Sequence, residues 1–385
     1  MNIMIVAGEA SGDMHGARLV EAMWKMQPDL RFSGIGGKEL AAAGVELLFD
    51  ASKIAVVGIT EVISHLGDIL AARRAIISRM RTDKPALLIL IDYPDFNLLL
   101  AAKAKKLGIP VFYYISPQVW AWRSGRVKKI GKLTDRVAVI LPFEKDFYAE
   151  RGVIVDFVGH PLSDTVRRDV LRSKEDFFQA HHLVLTPETR IIGILPGSRA
   201  KEISTLLPDF LAAAQILTCE DKQKNWLFFL PRASTVSQEL LLESGLAAYQ
   251  DKISIHVFAD SRYELMAACD AVVAASGTVT LELALLGIPT VAAYRVSPRT
   301  YRLGRLLVRH LRSFSLVNLI GEREIIPELL QDQVTPEAIA VQLRLMLDDA
   351  NYRNAILRGL AEVAEKLGPP DCSERAANIA LSCIR

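Results

Sequence analysis

Metal-binding and redox signatures are missing from this sequence. Its four cysteines, Cys219, Cys269, Cys372 and Cys383, lie far apart and form no CxxC pair, a pattern that fits free thiols in a reducing cytoplasm. No group of histidines and cysteines has metal-site spacing. No DxD occurs either, the acidic pair with which many sugar-nucleotide enzymes hold a divalent cation. The absence of GxxxxGK[ST] argues against a P-loop nucleotidase. No apolar run is long enough to cross a bilayer. The N-terminus enters a strand directly, without the basic and cleavable segments of a signal peptide. A formal net charge of +2 over 385 residues is too small for a dedicated nucleic-acid binder. Internal repeats and low-complexity tracts are also missing.

What is present is an alternation of short apolar runs with longer amphipathic stretches. "IMIVA", "ALLILID", "IPVFYYIS" and "RVAVILP" read as strands, each followed by a helical segment. The pattern pauses near "DFVGHPLSD" and restarts at "RIIGILPGSR", "NWLFFLP", "ISIHVF", "CDAVVAASG" and "IPTVAAYR". Such alternation predicts parallel sheets covered by helices on both faces. The expected fold is therefore α/β, with two Rossmann-like domains facing a cleft. The first spans residues 1–165 and the second 166–345, and helices over 346–385 could pack back on the first. Ligands of such folds bind where strands end, so the informative residues are those just after strands.

In the second domain, "GILPGSRAKEI" reads as strand, tight turn and helix. Gly197 lets the backbone come close, Ser198 can cap the helix, and Arg199 adds a positive fork suited to a pyrophosphate. An ordinary capped turn with a surface arginine is the alternative. In "VVAASGTVTLELALLG", Ser276, Gly277 and Thr278 form the turn after a strand. Glu282 lies one helical turn later on the same face, in apolar surroundings. A carboxylate there is costly unless hydrogen-bonded, and the vicinal hydroxyls of a ribose would satisfy it. In the first domain, "LLILIDYPDFN" places Asp92 at the end of a buried strand, making it the best candidate for a general base, whereas Asp95 reads as a helix N-cap. The turn "AGEASGD" offers Glu9, Ser11, Gly12 and Asp13. "VWAWRSGR" sets Trp120 and Trp122 beside Arg123 and Arg126, a combination suited to a sugar, a phosphate or a membrane interface.

Taken in order, "AGEASGD", "IDYPDFN", "SPQVWAW", "LPFE", "VGHP", "LPGSR", "SGTVTLELAL", "YRVSP" and "LVNLI" resemble the lipid A disaccharide synthase family from about residue 3 to 330. The resemblance implies a GT-B glycosyltransferase that needs no metal or other cofactor. It implies inverting transfer of 2,3-diacylglucosamine from its UDP derivative to 2,3-diacylglucosamine 1-phosphate, giving a β-1,6 linkage, on the cytoplasmic face of an inner membrane. It carries the catalytic aspartate onto Asp92 and the donor-nucleotide contacts onto Arg199, Ser276, Gly277, Thr278, Glu282 and Asn318. The acceptor would then meet Glu9, Ser11, Gly12, Asp13, Trp120 and Arg123, with small residues admitting a bulky amphiphile to the backbone.

Two stretches suit a membrane surface. "GITEVISHLGDILAARR" puts Ile59, Val62, Ile63, Leu66, Ile69 and Leu70 on one helical face, although a helix packed on the core has the same pattern. "RTYRLGRLLVRHLR" sets Arg302, Arg305, Arg309 and Arg312 in a stripe beside leucines. A UDP-sugar 2-epimerase of the same fold would leave these stretches unexplained. A membrane scaffold would not explain Asp92 and Glu282.

Overall fold

The computed structural model describes residues 1–53, 66–167, 171–233, 235–297, 301 and 313–384. Two compact units emerge: Met1–Asp164 together with Leu367–Arg385, and Thr165–Lys366. The helix Ala350–Lys366 thus belongs to the second unit and the helix Cys372–Ser382 to the first.

Among the described residues, the first unit holds seven strands: β1 (Asn2–Ala7), β2 (Arg31–Gly36), β3 (Glu46–Asp50), β4 (Leu87–Ile91), β5 (Val111–Tyr114), β6 (Arg136–Val139) and β7 (Asp156–Phe157). All run parallel, in the order β3-β2-β1-β4-β5-β6-β7. Strands covered on both faces need no polar side. Accordingly Leu87, Ile89 and Ile91 enter one core with Ile3, Ile5 and Ala7, while Leu88 and Leu90 enter the other with Met4 and Val6. The helix Cys372–Ser382 closes the first of these cores with Cys372, Ala376, Ala377 and Ala380. Residues this small let it lie close to the layer beneath.

The second unit holds β8 (Thr189–Leu195), β9 (Asn225–Pro231), β10 (Ile255–Phe258), β11 (Ala271–Ala275), β12 (Thr290–Tyr294) and β13 (Glu328–Leu330), parallel in the order β10-β9-β8-β11-β12-β13. Its last two helices, Pro336–Asp348 and Ala350–Lys366, pack within this unit. The first begins on Thr335, whose hydroxyl accepts the Ala338 N–H.

Strand order locates one switch point in each sheet. In the first, the chain leaves β1 toward β2 and returns on the other side at β4. In the second, the same happens between β8 and β11. Loops diverge at such points and leave a crevice at the strands' carboxyl ends.

Candidate active site

At the first switch point Ala7 of β1 pairs with Ile91 of β4, so the turn after β1 lies beside Asp92. The backbone there is unusual. Asp92 and Tyr93 both have left-handed torsions (φ 44° and 43°), and so does Ile115 (φ 58°) at the end of neighbouring β5. Non-glycine residues in this region cost roughly 1–3 kcal/mol each and persist only where their surroundings enforce them. The Asp92 N–H donates to the Ile115 carbonyl at 3.3 Å, which links two of the three. Burial pushes the Asp92 carboxyl up to about 6, the charge of Glu9 adds to this, and the Tyr93 N–H opposes it. The side chain is therefore largely ionised at neutral pH yet close enough to titration to take a proton.

A second carboxyl in this region went unnoticed in the sequence. Glu144 stands at the third position of the helix Pro142–Ala149, and its Oε2 accepts the Leu141 N–H at 3.1 Å. Burial pushes it up to about 8, and the Asp92 charge acts in the same direction. The Leu141 and Ile140 N–H groups oppose that rise. The available signal was Leu-Pro-x-Glu just after a strand, which reads as a capping box.

Several acceptor-side expectations change. The helix after β1 starts at Ala10, so Ser11, Gly12 and Asp13 belong to its first turn and not to the turn before it. Ser11 is exposed there. Asp13 is buried, and its carboxylate accepts the N–H groups of Gly37 (2.6 Å), Glu39 (2.9 Å) and Leu40 (3.3 Å). It caps the helix Lys38–Ala42 from a distance and is not available to a sugar. Gly12 is buried against Ile91 and Ala7, so its smallness serves helix-on-sheet packing. Gly8 is small because the Tyr93 ring lies directly over it. Exposed Glu9 keeps its candidacy.

Trp120 is 7% exposed and packs edge-on against Phe143 at 5.0 Å, so it belongs to the core rather than to a sugar-binding platform. The Trp122 side chain lies outside the described residues. Asp95 is not the N-cap expected, because Tyr93 holds that position and Pro94 begins the helix. Asp95 instead pairs with Arg123 at 3.3 Å and with Arg126. Arg123 is thereby held at the helix start rather than extended to a ligand.

At the second switch point Ala274 pairs with Leu195, which brings the turn after β8 beside the turn after β11. Gly197 has φ 111°, a conformation costly for any side chain. The helix that follows runs Ala200–Glu220 with Arg199 at its N-cap position and no side-chain cap. Ser198 is thus not the capping residue. Its N–H donates instead to the Glu202 carboxylate at 3.3 Å. Arg199 is three-quarters exposed and 3.5 Å from Glu202.

After β11, Ser276 donates to the Phe314 carbonyl at 3.4 Å, and Gly277 and Thr278 are exposed. A Cβ built on Gly277 meets nothing within 4 Å. In the following helix, Val279–Leu286, the Thr280 N–H donates to the Gly277 carbonyl at 3.1 Å and the Leu281 N–H to the Thr278 carbonyl at 3.0 Å. Gly287 ends it at φ 67°. Glu282 is 5% exposed and ion-paired with Arg262. That partner, on the helix Arg262–Ala268, was not foreseen, because nothing local in the sequence joins residues twenty apart.

Asn318 does not offer its amide outward. It is 2% exposed, donates to the Ile326 carbonyl (2.9 Å) and Glu328 (2.8 Å), and accepts the N–H groups of Ile325 and Ile326. Glu328 in turn accepts the N–H groups of Phe314 and Ser315. Asn318 therefore shapes the loop that meets Ser276, and a direct ligand contact through its amide is ruled out by saturation.

The first switch point thus carries a half-buried carboxylate, and the second a helix start, a cation and a buried carboxylate. The fold itself recurs widely. A putative UDP-N-acetylglucosamine 2-epimerase from Listeria monocytogenes matches with a TM-score of 0.65 at 12% identity, covering 100% of this chain and 95% of that one. MurG from Acinetobacter baumannii matches at 0.62 and 15%, covering 99% of each. The architecture is GT-B, and at such identities the likeness shows fold alone. Sequence discriminates further. The lipid-A-disaccharide synthetase family model matches residues 3–380. The lipid-A-disaccharide synthase of Geobacter metallireducens is 46% identical over 382 residues, which cover 99% of this chain and 97% of that relative. The epimerase fold is shared but this end-to-end identity is not, and the chain belongs to the lipid-A-disaccharide synthase family.

Proposed function

We propose that this glycosyltransferase moves 2,3-diacylglucosamine from UDP to the 6-hydroxyl of 2,3-diacylglucosamine 1-phosphate, with inversion. The observation that carries the mechanism is Asp92, a half-buried carboxylate at the β1/β4 switch point whose pKa of about 6 suits a base. Asp92 takes the hydroxyl proton as that oxygen attacks the donor's anomeric carbon, and the bond to the diphosphate breaks to release UDP. Exposed Glu9, next to Asp92 in the same crevice, receives hydroxyls of the acceptor sugar. On the donor side, the helix start after β8 and the Arg199 guanidinium meet the charge that develops on the leaving diphosphate. Ser276, Gly277 and Thr278 line that position, and Glu282 holds the ribose hydroxyls.

The test is UDP release from the acylated UDP-glucosamine with and without the monosaccharide phosphate. Release should depend on the acceptor and survive excess EDTA, because the helix start after β8 and Arg199 supply the charge that a metal would otherwise supply. Release without acceptor points to epimerase-like or hydrolytic chemistry, and loss on chelation with recovery in Mg²⁺ contradicts the metal-free reading.

The diacylated substrates call for peripheral contact with the inner face of the inner membrane, since their chains are costly to expose to water. On the helix Leu66–Asp83, Leu66 and Leu70 are 50% and 38% exposed, while Ala72, Ile76 and Met80 face the core. Ile69 packs partly against that core. Ile59, Val62, Ile63 and the arginine stripe from Arg302 to Arg312 lie outside the described residues. No described helix is long and apolar enough to cross a membrane. Sedimentation with anionic liposomes should show binding that weakens with salt. Replacing Leu66 and Leu70 with serine should reduce it without moving the thermal transition, because neither is buried. Indifference to anionic liposomes at low salt would sink the membrane reading.

A further inference from the structure

Asp92 carries its carboxylate on a left-handed backbone (φ 44°), a conformation that Tyr93 after it shares (φ 43°). Two buried side chains hold it there. The Asn97 amide donates to the Ile91 carbonyl at 3.0 Å and to the Asp92 carbonyl at 2.8 Å. These carbonyls belong to the two peptide units that flank the Asp92 Cα, so a single side chain fixes both torsions that aim the Asp92 side chain. The Tyr113 hydroxyl donates to the same Asp92 carbonyl at 2.5 Å and fills its second lone pair. Asn97 and Tyr113 are both fully buried. Asn97 donates its own backbone N–H to the Tyr93 carbonyl and Tyr113 pairs with Leu90 in the sheet, so these side-chain bonds are additional to the helix and the strand ladder.

We propose that Asn97 and Tyr113 are positioning residues, which lock the Asp92 peptide in its left-handed conformation and so place the carboxylate for proton transfer. The proposal rests on Asp92 being the base. With both donors gone the peptide can relax to an ordinary conformation, and the carboxylate leaves its place while the protein stays folded. A displacement near 1 Å at a reacting group can cost on the order of 100-fold.

The experiment is a double-mutant cycle on the full-length enzyme with Tyr113→Phe, Asn97→Ala and Asp92→Asn, read by acceptor-dependent UDP release and by the thermal transition. Tyr113→Phe keeps the ring and its packing. It should lower kcat roughly 10-fold or more, with the donor KM unchanged, and shift the acidic limb of the kcat profile to lower pH as the freed carboxylate gains water. In the Asp92→Asn background the same change should cost nothing further, because the group being positioned is already gone. Full kcat in a folded Tyr113→Phe overturns the proposal, and so does a loss that simply adds to that of Asp92→Asn. Should Asn97→Ala fail to fold, Tyr113→Phe still decides. Asp92→Asn at full turnover removes the base assignment itself, an outcome readable from that single variant.

Discussion

Replacing Asp92 with asparagine is expected to lower kcat by about 10²–10⁴-fold, the usual contribution of a positioned base, while the protein still folds and still binds UDP. Asparagine keeps the shape and tolerates left-handed torsions, but cannot take a proton. The wild-type rate should fall as pH drops below about 6, where the carboxyl becomes protonated. Glu9→Gln should shift that fall to lower pH, because Glu9's charge contributes to the raised value. Stability should move the opposite way to activity. A folded-state pKa above the unfolded one means that the Asp92 contribution is favourable at low pH and is lost as pH rises from the ordinary value of 3.8 through about 6. At pH 8 the ionised, half-buried group therefore costs on the order of 1–3 kcal/mol. Asp92→Asn should then melt higher than wild type at pH 8 and no higher at pH 4. Near-normal turnover in this variant would leave Glu9 as the next candidate base.

The second large effect is expected at Glu282. Glu282→Gln should weaken UDP about 10- to 100-fold by titration calorimetry, the range for losing a hydrogen bond to a charged group, with kcat at saturating donor little changed. Removing the ribose hydroxyls should do the same from the other side. Wild type should bind 2′,3′-dideoxy-UDP about as poorly as the variant binds UDP, and the variant should no longer distinguish the two nucleotides. If the variant still prefers UDP, the carboxylate that pairs with Arg262 has only a structural part in this helix.

How much of this could be read in the chain depends on where each cause lies. Local causes were legible. The strand "LLILI" is uniformly apolar because both faces are covered, and it is β4. Gly287 at the close of "LELALLG" ends its helix at φ 67°, where a glycine is the residue least strained. Asp92 stood out because a carboxylate closes an apolar strand. Other residues were misread where one polar side chain can serve either ligand or backbone. Asp13 in a glycine-rich turn and Asn318 at a helix start look alike for both purposes. Only folding brought Gly37, Glu39 and Leu40 to Asp13, across more than twenty residues. Trp120 was misplaced for a related reason. Its place beside Trp122, Arg123 and Arg126 suggested a ligand or membrane contact, while its burial depends on Phe143 from another element.

By itself the sequence determined two parallel α/β domains, the strand ends at which chemistry can occur, and the motif order that marks the family, because periodicity and motif spacing are properties of the chain alone. Tertiary structure decided which of the polar residues near those strand ends remain open to a substrate. It joined Glu144 to the environment of Asp92, Arg262 to Glu282 and Asn97 with Tyr113 to one carbonyl. The physical reason is that burial and hydrogen-bond saturation are set by neighbours remote in sequence. A side chain's pKa, its free lone pairs and the torsions that aim it exist only once those neighbours have arrived.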